Sequence, residues 1–177
     1  VDHGKTSLTA AITKVLGMKG QAEFTDYANI DKAPEERERG ITISAKNCAI
    51  KWKGAKINII DTPGYLDFVG EVQQAVRAAD SALICVDAKA GCEVGTELAW
   101  NLATEAGIPK AFFINRFDDG EARFYKVFGA IREKYGLNVC PIQIPIIDGD
   151  TVIGFANLVE MCVYIFEKAT GEYSRSK

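Results

Sequence analysis

Apolar and polar positions alternate along the chain in blocks that predict helices and strands in turn. Apolar residues recur at helical spacing from Lys5 to Leu16, and glycines 17 and 20 are expected to end that helix. Short, nearly continuous apolar runs separated by amphipathic stretches are typical of strands that are buried on both faces. The predicted strands cover residues 41–52, 55–60, 81–86 and 110–114, and the later predicted helices cover residues 72–79, 95–106 and 121–135.

This alternation predicts an α/β fold, a three-layer sandwich around a mostly parallel sheet. Asp61, Asp87 and Asn115 follow the ends of predicted strands, which is where open α/β sheets bind their ligands. After Val139 the pattern changes to short β-like runs interrupted by prolines and glycines, so we predict that an inserted subdomain begins there.

Composition narrows the class of protein. The chain has 177 residues, of which 47% are apolar, so it can bury a core, and its net charge of −3 gives no support for a broad basic face that wraps nucleic acid. No apolar run reaches the roughly 18 residues of a membrane span. Five widely spaced cysteines without a C-x-x-C pair, beside a single histidine, indicate a reducing, cytosolic compartment and argue against a zinc site.

The first residues, V-D-H-G-K-T-S, match the last part of a phosphate-binding loop, G-x-x-x-x-G-K-[ST]. In such a loop the backbone N–H groups surround the phosphates, the lysine reaches the β- and γ-phosphates and the threonine hydroxyl holds Mg²⁺. The predicted phosphate-binding residues are Asp2, His3, Gly4, Lys5, Thr6 and Ser7. The alternative is a turn that opens an ordinary amphipathic helix. Since the first glycine and its preceding strand are not in the sequence, we expect a fragment of a larger reading frame.

Two motifs follow that suit a switch responding to the γ-phosphate. In R-G-I-T-I, Thr42 could place its hydroxyl on Mg²⁺ and its N–H on the γ-phosphate, although a β-branched strand start is the alternative. In D-T-P-G, Asp61 could hold the magnesium shell and the Gly64 N–H could bind the γ-phosphate. The alternative for D-T-P-G is a helix cap followed by a Pro-Gly turn.

A further motif, N-R-F-D, follows the strand predicted to end at residue 114. In this N-x-x-D pattern a carboxylate at Asp118 can accept hydrogen bonds from N1–H and the 2-amino group of guanine. Adenine offers neither donor, and an unpaired buried carboxylate is costly, so the pattern predicts guanine selectivity. The predicted base-binding residues are Asn115, Arg116 and Asp118. The alternative is a polar strand-to-helix turn.

With these motifs in order, the chain resembles the translational GTPases in two pieces. Residues 1–43, with V-D-H-G-K-T-S-L-T and E-R-G-I-T-I, resemble elongation factor Tu. Residues 44–177, with D-T-P-G-Y-L-D-F-V-G and P-I-Q-I-P-I, resemble elongation factor G or a paralogue of it. Three explanations for this two-piece resemblance stay open: a designed or recombinant chimera, a misassembled reading frame, or an unusual paralogue.

The resemblance implies a GTP-binding domain over residues 1–138 and an incomplete insertion subdomain of the elongation factor G type over residues 139–177. It implies a P-loop GTPase fold whose first strand, absent here, belongs between the strands ending at Ile60 and Val86. The implied activity is hydrolysis of GTP to GDP and phosphate with Mg²⁺, driving a translocation-type step. The ribosome is the implied partner, mainly through domains outside this sequence, for a cytoplasmic monomer without membrane contact.

The resemblance also assigns roles and exposes two departures. The catalytic residues would be Lys5, Thr42, Gly64 and Tyr65, and the magnesium ligands would be Thr6, Thr42 and Asp61. Tyr65 stands where the family usually has a histidine, and a phenol is a weak base at pH 7, so a GTP-binding module with little or no hydrolysis is the alternative function. Arg116 replaces the usual lysine, and we expect guanine preference to survive with weakened affinity.

Overall fold

The computed structural model describes residues 3–20, 34–39, 41–117, 119, 122–167 and 173–176. The helices are α1 (Lys5–Met18), α2 (Pro34–Arg39), α3 (Val69–Ala78), α4 (Val94–Glu105) and α5 (Phe124–Tyr135), with a 3₁₀ turn at Leu66–Phe68. The strands are β1 (Lys46–Trp52), β2 (Ala55–Asp61), β3 (Ala82–Asp87), β4 (Lys110–Asn115), β5 (Gln143–Asp148), β6 (Thr151–Asn157), β7 (Cys162–Phe166) and β8 (Tyr173–Ser176). The chain divides into a first unit, Val1–Val86 with Glu93–Phe113, and a second unit, Asp87–Cys92 with Ile114–Lys177.

In the first unit, β1 and β2 form an antiparallel hairpin around a two-residue turn. Lys53 and Gly54 both have positive φ, 47° and 82°, as in the type I′ turn that matches the twist of paired strands. The register pairs Trp52 with Ala55 at the turn and Lys46 with Asp61 at the open end. The hairpin therefore places the start of β1 directly opposite the carboxylate that ends β2.

A second sheet pairs β3 with β4, which α4 connects. The Ala82 N–H donates to the Pro109 carbonyl, and the Ala88 N–H donates to the Asn115 carbonyl, each at 2.9 Å. Because these partners advance in step along the chain, the two strands are parallel, and a helical crossover is the usual connection for such a pair.

Of the described strands before residue 139, β3 and β4 pair in parallel as predicted, whereas β1 and β2 form an antiparallel hairpin that was not predicted. The described strands form three sheets, β1-β2, β3-β4 and β5-β6-β7-β8, and the first and third are antiparallel. Two-residue turns join β1 to β2 and β5 to β6, and a connection this short can join only antiparallel strands. Among the described residues β2 and β3 belong to separate sheets, and the resemblance places a further strand between them.

Several element boundaries also differ from the predictions. The strand predicted from residue 41 begins at Lys46, because the N–H groups of residues 43–45 donate to carboxylates instead of a neighbouring strand. Gly17 lies within α1, and the chain turns two residues later. The helix predicted from residue 72 begins at Val69, while the helix predicted from residue 121 is described from Phe124. Gly40 and Glu121 lie outside the described residues.

Each unit has its own apolar core, built from the inward faces of these elements. In the first unit the buried apolar residues are Leu16, Ile50, Ala75, Ile84, Val86 and Ala103. In the second unit they are Ala88, Phe124, Val127, Ile131 and Cys162. The predicted domain limits at residues 138 and 139 stay a prediction.

The second unit contains the four-stranded antiparallel sheet, in the part of the sequence where short β-like runs were predicted. Phe155 of β6 stacks on Tyr164 of β7 with ring centroids 4.9 Å apart. On the same strand Gly154 approaches the β7 backbone so closely that a Cβ there would overlap the Tyr164 carbonyl oxygen. The close pairing of β6 and β7 thus depends on the absence of a side chain at Gly154.

We expect Gly154→Ala to lower the free energy of unfolding by about 1–3 kcal/mol, since the added methyl group must push β6 and β7 apart. The matched control is Gly129→Ala in α5, where a Cβ meets nothing within 4 Å. That change should raise stability by about 0.5–1 kcal/mol, because alanine favours a helix interior. Urea denaturation followed by circular dichroism measures both. Equal effects of the two substitutions would contradict the close approach at Gly154.

Candidate functional site

The phosphate loop enters α1 through Gly4, which has a left-handed backbone with φ 78° and ψ 30°. Glycine adopts this conformation without the steric cost that a Cβ brings. The Gly4 carbonyl accepts the Leu8 N–H at 2.9 Å, which makes Lys5 the first helical residue. The first turn, K-T-S-L, carries no carboxylate, so the positive end of the helix dipole is available to an anion.

Three predicted magnesium ligands meet at the start of α1. The buried Thr6 hydroxyl donates to Asp61 Oδ2 at 2.7 Å, and Asp61 is only 4% exposed. Thr42 Oγ1 lies 3.0 Å from Thr6 Oγ1. Because the single Thr6 hydroxyl hydrogen points to Asp61, the Thr42 hydroxyl is the donor in the second bond. The first unit therefore brings Thr6, Thr42 and Asp61 together from three separate parts of the sequence.

This donor set has the chemistry of a magnesium site. Mg²⁺ prefers oxygen ligands, takes one or two carboxylates from a protein and completes its octahedron with water and substrate phosphates. One carboxylate and two hydroxyls at the positive end of a helix fit that description. Metals that favour thiolate or imidazole ligands fit it poorly.

The remaining predicted catalytic residues lie on the same unit. Lys5 is the first residue of α1 and is partly exposed, and Ser7, two positions later, is exposed. Gly64 and Tyr65 follow Asp61 closely in the chain, before the 3₁₀ turn. The Tyr65 carbonyl accepts the Phe68 N–H at 3.1 Å, and the residue is 36% exposed. Tyr65 is thus accessible to solvent.

His3 ties the phosphate loop to the strand and helix beside it. Its Nδ1 donates to the Cys85 carbonyl of β3 at 3.1 Å, and its Nε2 lies 2.9 Å from Glu93 Oε2, just before α4. The ring is buried, with 6% of the residue exposed. Its side chain therefore positions the loop, and a contact to phosphate would have to come from the backbone. Asp2 lies outside the described residues.

The predicted base-binding motif lies in the second unit. Asn115 ends β4, and Arg116 then adopts a left-handed backbone with φ 66°, which is uncommon for a residue with a side chain. Arg116 Nη1 lies 3.5 Å from Asp87 Oδ2. The other Asp87 oxygen accepts the N–H groups of Lys89 and Ala90, each at 2.8 Å. Asp118 lies outside the described residues.

Sequence reasoning missed the carboxylates that support these residues. Residues 31–40 are rich in charge, which is typical of a solvated loop or short helix; α2 is a short helix, but Glu36 on it is only 1% exposed. The one signal was its position six residues before Thr42, close to the switch motif. Asp87 follows the end of a predicted strand, but its sequence position did not indicate that it would contact Arg116.

The five cysteines all carry free thiols, and every one lies among the described residues. Burial raises the pKa of the Cys85 thiol to about 11; nearby Lys5 lowers it and Asp61 raises it, both to a smaller extent. The Cys85 carbonyl accepts a hydrogen bond from the His3 ring. The reactivity of the Cys85 thiol therefore reports whether β3 is folded beside His3.

A left-handed glycine before a helix that begins Lys-Thr, with the threonine bonded to an aspartate at the end of a strand, defines a P-loop nucleotide-binding domain. Comparison with known proteins extends this class to a family. The sequence model of the elongation factor Tu GTP binding domain matches residues 1–168. The chain belongs to the elongation factor Tu GTP binding domain family, and its fold is that of a P-loop GTPase.

The chain is also similar to a solved structure. The crystal structure of ttk003000868 from Thermus thermophilus matches with a TM-score of 0.86 and 31% sequence identity. The match covers 99% of this chain and 26% of that one, so the chain spans about a quarter of the length of the Thermus protein. Over the described residues, no helix combines the length and apolar character needed to cross a membrane.

We expect the Cys85 thiol to resist alkylation in the folded protein. With a pKa of about 11 against an ordinary 9.0, its thiolate fraction at pH 8 is roughly 100-fold lower than usual, and burial slows attack further. Iodoacetamide labelling followed by peptide mass spectrometry should modify the exposed Cys140 first. Labelling of Cys85 should rise about tenfold per pH unit from pH 8 to 10. Equal labelling of both thiols in the native protein, rather than only in urea, would contradict this environment.

Proposed function

We propose that this domain binds GTP with Mg²⁺ and hydrolyses it to GDP and phosphate, as part of a cytoplasmic, monomeric elongation factor. Hydrolysis would drive a translocation-type step on the ribosome, with most ribosome contacts made by other parts of the protein. The observation that carries the proposal is the cluster of Thr6, Thr42 and Asp61 at the N-terminus of α1, in which Thr6 and Asp61 are buried. Membership of a GTP-binding family supports guanine as the base.

The positions of these residues would determine how GTP is hydrolysed. Thr6 and Thr42 would ligate Mg²⁺, with Asp61 holding its water shell, and the ion would neutralise charge on the β- and γ-phosphates. Lys5 and the N–H groups at the start of α1 would stabilise the charge that develops as water attacks the γ-phosphorus in line. Gly64 would donate its N–H to the γ-phosphate.

Base selection would come from the N-R-F-D motif. Asn115 and Asp118 would hydrogen-bond guanine, and Asp118 would reject adenine, which lacks both donors that its carboxylate needs. The planar guanidinium of Arg116 would stack on the base in place of the usual lysine stem. Its left-handed backbone and its contact with Asp87 support a preset loop conformation.

One observation favours a second function, GTP binding with little or no turnover. Tyr65 occupies the position expected to orient the attacking water, and a phenol is a weak base at neutral pH. The residue is 36% exposed, and its hydroxyl group can still hydrogen-bond a water molecule. The proposal therefore assigns Tyr65 a role in orienting water, and not in removing its proton.

We expect the protein to bind fluorescent GDP and GTP saturably in Mg²⁺, without displacement by excess ATP. Thr6→Ala should weaken Mg²⁺-dependent binding of GTP about tenfold or more, because a magnesium ligand and a partner of Asp61 are both lost. Thr6→Ser should retain binding, since it keeps the hydroxyl group.

The matched control for that titration is Thr104→Ala, because the Thr104 hydroxyl bonds along the exposed surface of α4, to the Trp100 carbonyl at 2.7 Å. It should bind GTP as the unaltered protein does. Displacement of the fluorescent guanine nucleotides by excess ATP would contradict the assignment of this site to guanine. An equal loss in Thr6→Ala and Thr104→Ala would remove the assignment of Thr6 to the site.

We expect Tyr65→Phe to lower kcat for GTP hydrolysis on ribosomes about 10- to 100-fold while leaving the Kd for GTP unchanged, because the phenol hydroxyl would orient water only during reaction. Tyr125→Phe, at a residue 65% exposed on α5, is the control. Single-turnover assays with radiolabelled GTP provide the measurement. If the unaltered protein binds GTP tightly but does not turn it over on ribosomes, the second function is correct.

A further inference from the structure

We propose that Glu36 and Glu71 form a carboxylate bracket that holds Thr42 in place and thereby sets how strongly the domain prefers GTP over GDP. The carboxylate bracket is the pair of side chains Glu36, on α2, and Glu71, on α3. The inference rests on the proposed function, which assigns Thr42 to Mg²⁺ and the γ-phosphate. Both glutamates are positioning residues, since they would act on the nucleotide only through Thr42.

Glu36 makes the larger part of the bracket. One carboxylate oxygen, Oε1, accepts the N–H of Ile43 at 2.9 Å and the N–H of Ser44 at 3.2 Å. The other, Oε2, accepts the Lys46 ammonium, and the Glu36 side chain is 1% exposed. Hydrogen bonds to a charged acceptor are stronger than neutral ones, and burial removes the competition from water. The contact is therefore well suited to holding backbone that lies outside a sheet.

Glu71 completes the bracket from a different helix. Its Oε2 accepts the N–H of Ala45 at 2.8 Å. Three consecutive backbone donors, at residues 43, 44 and 45, thus end on side-chain carboxylates instead of a neighbouring strand. Because α3 begins shortly after the Asp61–Tyr65 segment, the bracket also joins the segment that carries Thr42 to the element that follows the second switch.

The carboxylate bracket holds the chain just after Thr42, and the backbone of α2 holds it just before. The N–H of Ile41 donates to the Glu36 main-chain carbonyl at 3.1 Å, and the N–H of Ile43 donates to the Glu36 carboxylate. Thr42 lies between these two contacts, and its hydroxyl lies 3.0 Å from that of Thr6. Release of the Glu36 carboxylate would therefore free the flank after Thr42, while the backbone contact of Ile41 would remain.

This arrangement suits a switch better than a strand would. A strand at residues 41–45 could leave only by breaking a ladder of sheet hydrogen bonds, whereas side-chain acceptors can release without disturbing β1 and β2. The closed position of Thr42 is then maintained by a few charged contacts, which add to those that GTP would supply. Since GDP lacks the γ-phosphate, weakening the bracket should reduce affinity for GTP selectively.

The test compares Glu36→Ala with Glu35→Ala, a matched change at an exposed neighbour on the same helix. In Glu36→Ala, NMR amide exchange should accelerate about tenfold at Ile43 and Ser44, and the Kd for a slowly hydrolysed GTP analogue should rise about tenfold. The Kd for GDP should stay within about twofold. Glu35→Ala should change none of these quantities.

Two further variants separate positioning from general destabilisation. Glu36→Gln keeps an acceptor oxygen for Ile43 and Ser44, so it should recover part of the GTP affinity. In a Thr42→Ala background, Glu36→Ala should not lower the GTP-to-GDP preference further, because its effect passes through Thr42. If Glu36→Ala fails to fold, Glu71→Ala serves the same purpose. It removes a half-buried group and should accelerate exchange at Ala45 and lower GTP affinity selectively.

Equal weakening of GTP and GDP binding by Glu36→Ala, or a further loss of preference in the Thr42→Ala background, would overturn the proposal. So would unchanged exchange at residues 43–45. Failure of the proposed function has a different signature, in which the unaltered protein binds no guanine nucleotide while exchange at residues 43–45 still responds to loss of the carboxylates. In that case the bracket holds the segment, but its link to GTP is excluded.

Discussion

The hydrogen bond between the Thr6 hydroxyl and Asp61 is the contact on which the phosphate site depends. It joins the first turn of α1 to the last residue of β2, and both partners are buried. The hairpin register then places Lys46 opposite Asp61, so that the segment before β1 must reach the same corner. Thr42 arrives there four residues earlier in the chain. One side-chain contact and one strand register thus bring three distant parts of the sequence to a single point.

Charge, more than apolar packing, specifies this corner. Asp61 and Glu36 are 4% and 1% exposed, and each accepts hydrogen bonds that offset the cost of burying a carboxylate. Loss of one partner from a buried charge pair costs about 3–5 kcal/mol, whereas replacement of the whole pair can be neutral. Such contacts are therefore poor sources of net stability but strong determinants of conformation.

Much of this arrangement could be predicted from sequence, because motif residues carry local signals. Thr6 and Asp61 were found from loop and strand-end patterns, and α1, α4, β2, β3 and β4 lie within about two residues of their predicted bounds. Glu36 could not be assigned, since its burial depends on residues 43–46 folding back over α2. Strand β8, Y-S-R-S, lacks an apolar alternation and exists through its pairing with β7. Contacts that arise only in three dimensions leave no periodicity to detect.

The loop after β4, which is predicted to bind the base, is also held by a few specific contacts, and here the backbone contacts matter more than the charged one. Arg116 lies 3.5 Å from Asp87 but its side chain is 52% exposed, so solvent screens most of that attraction. A left-handed backbone costs about 1–2 kcal/mol for a residue with a Cβ, which a screened ion pair does not offset. The bond from the Ala88 N–H to the Asn115 carbonyl, at a fully buried Ala88, is the stronger restraint. The pairing of β3 and β4 therefore restrains the loop more than the charge of Arg116 does.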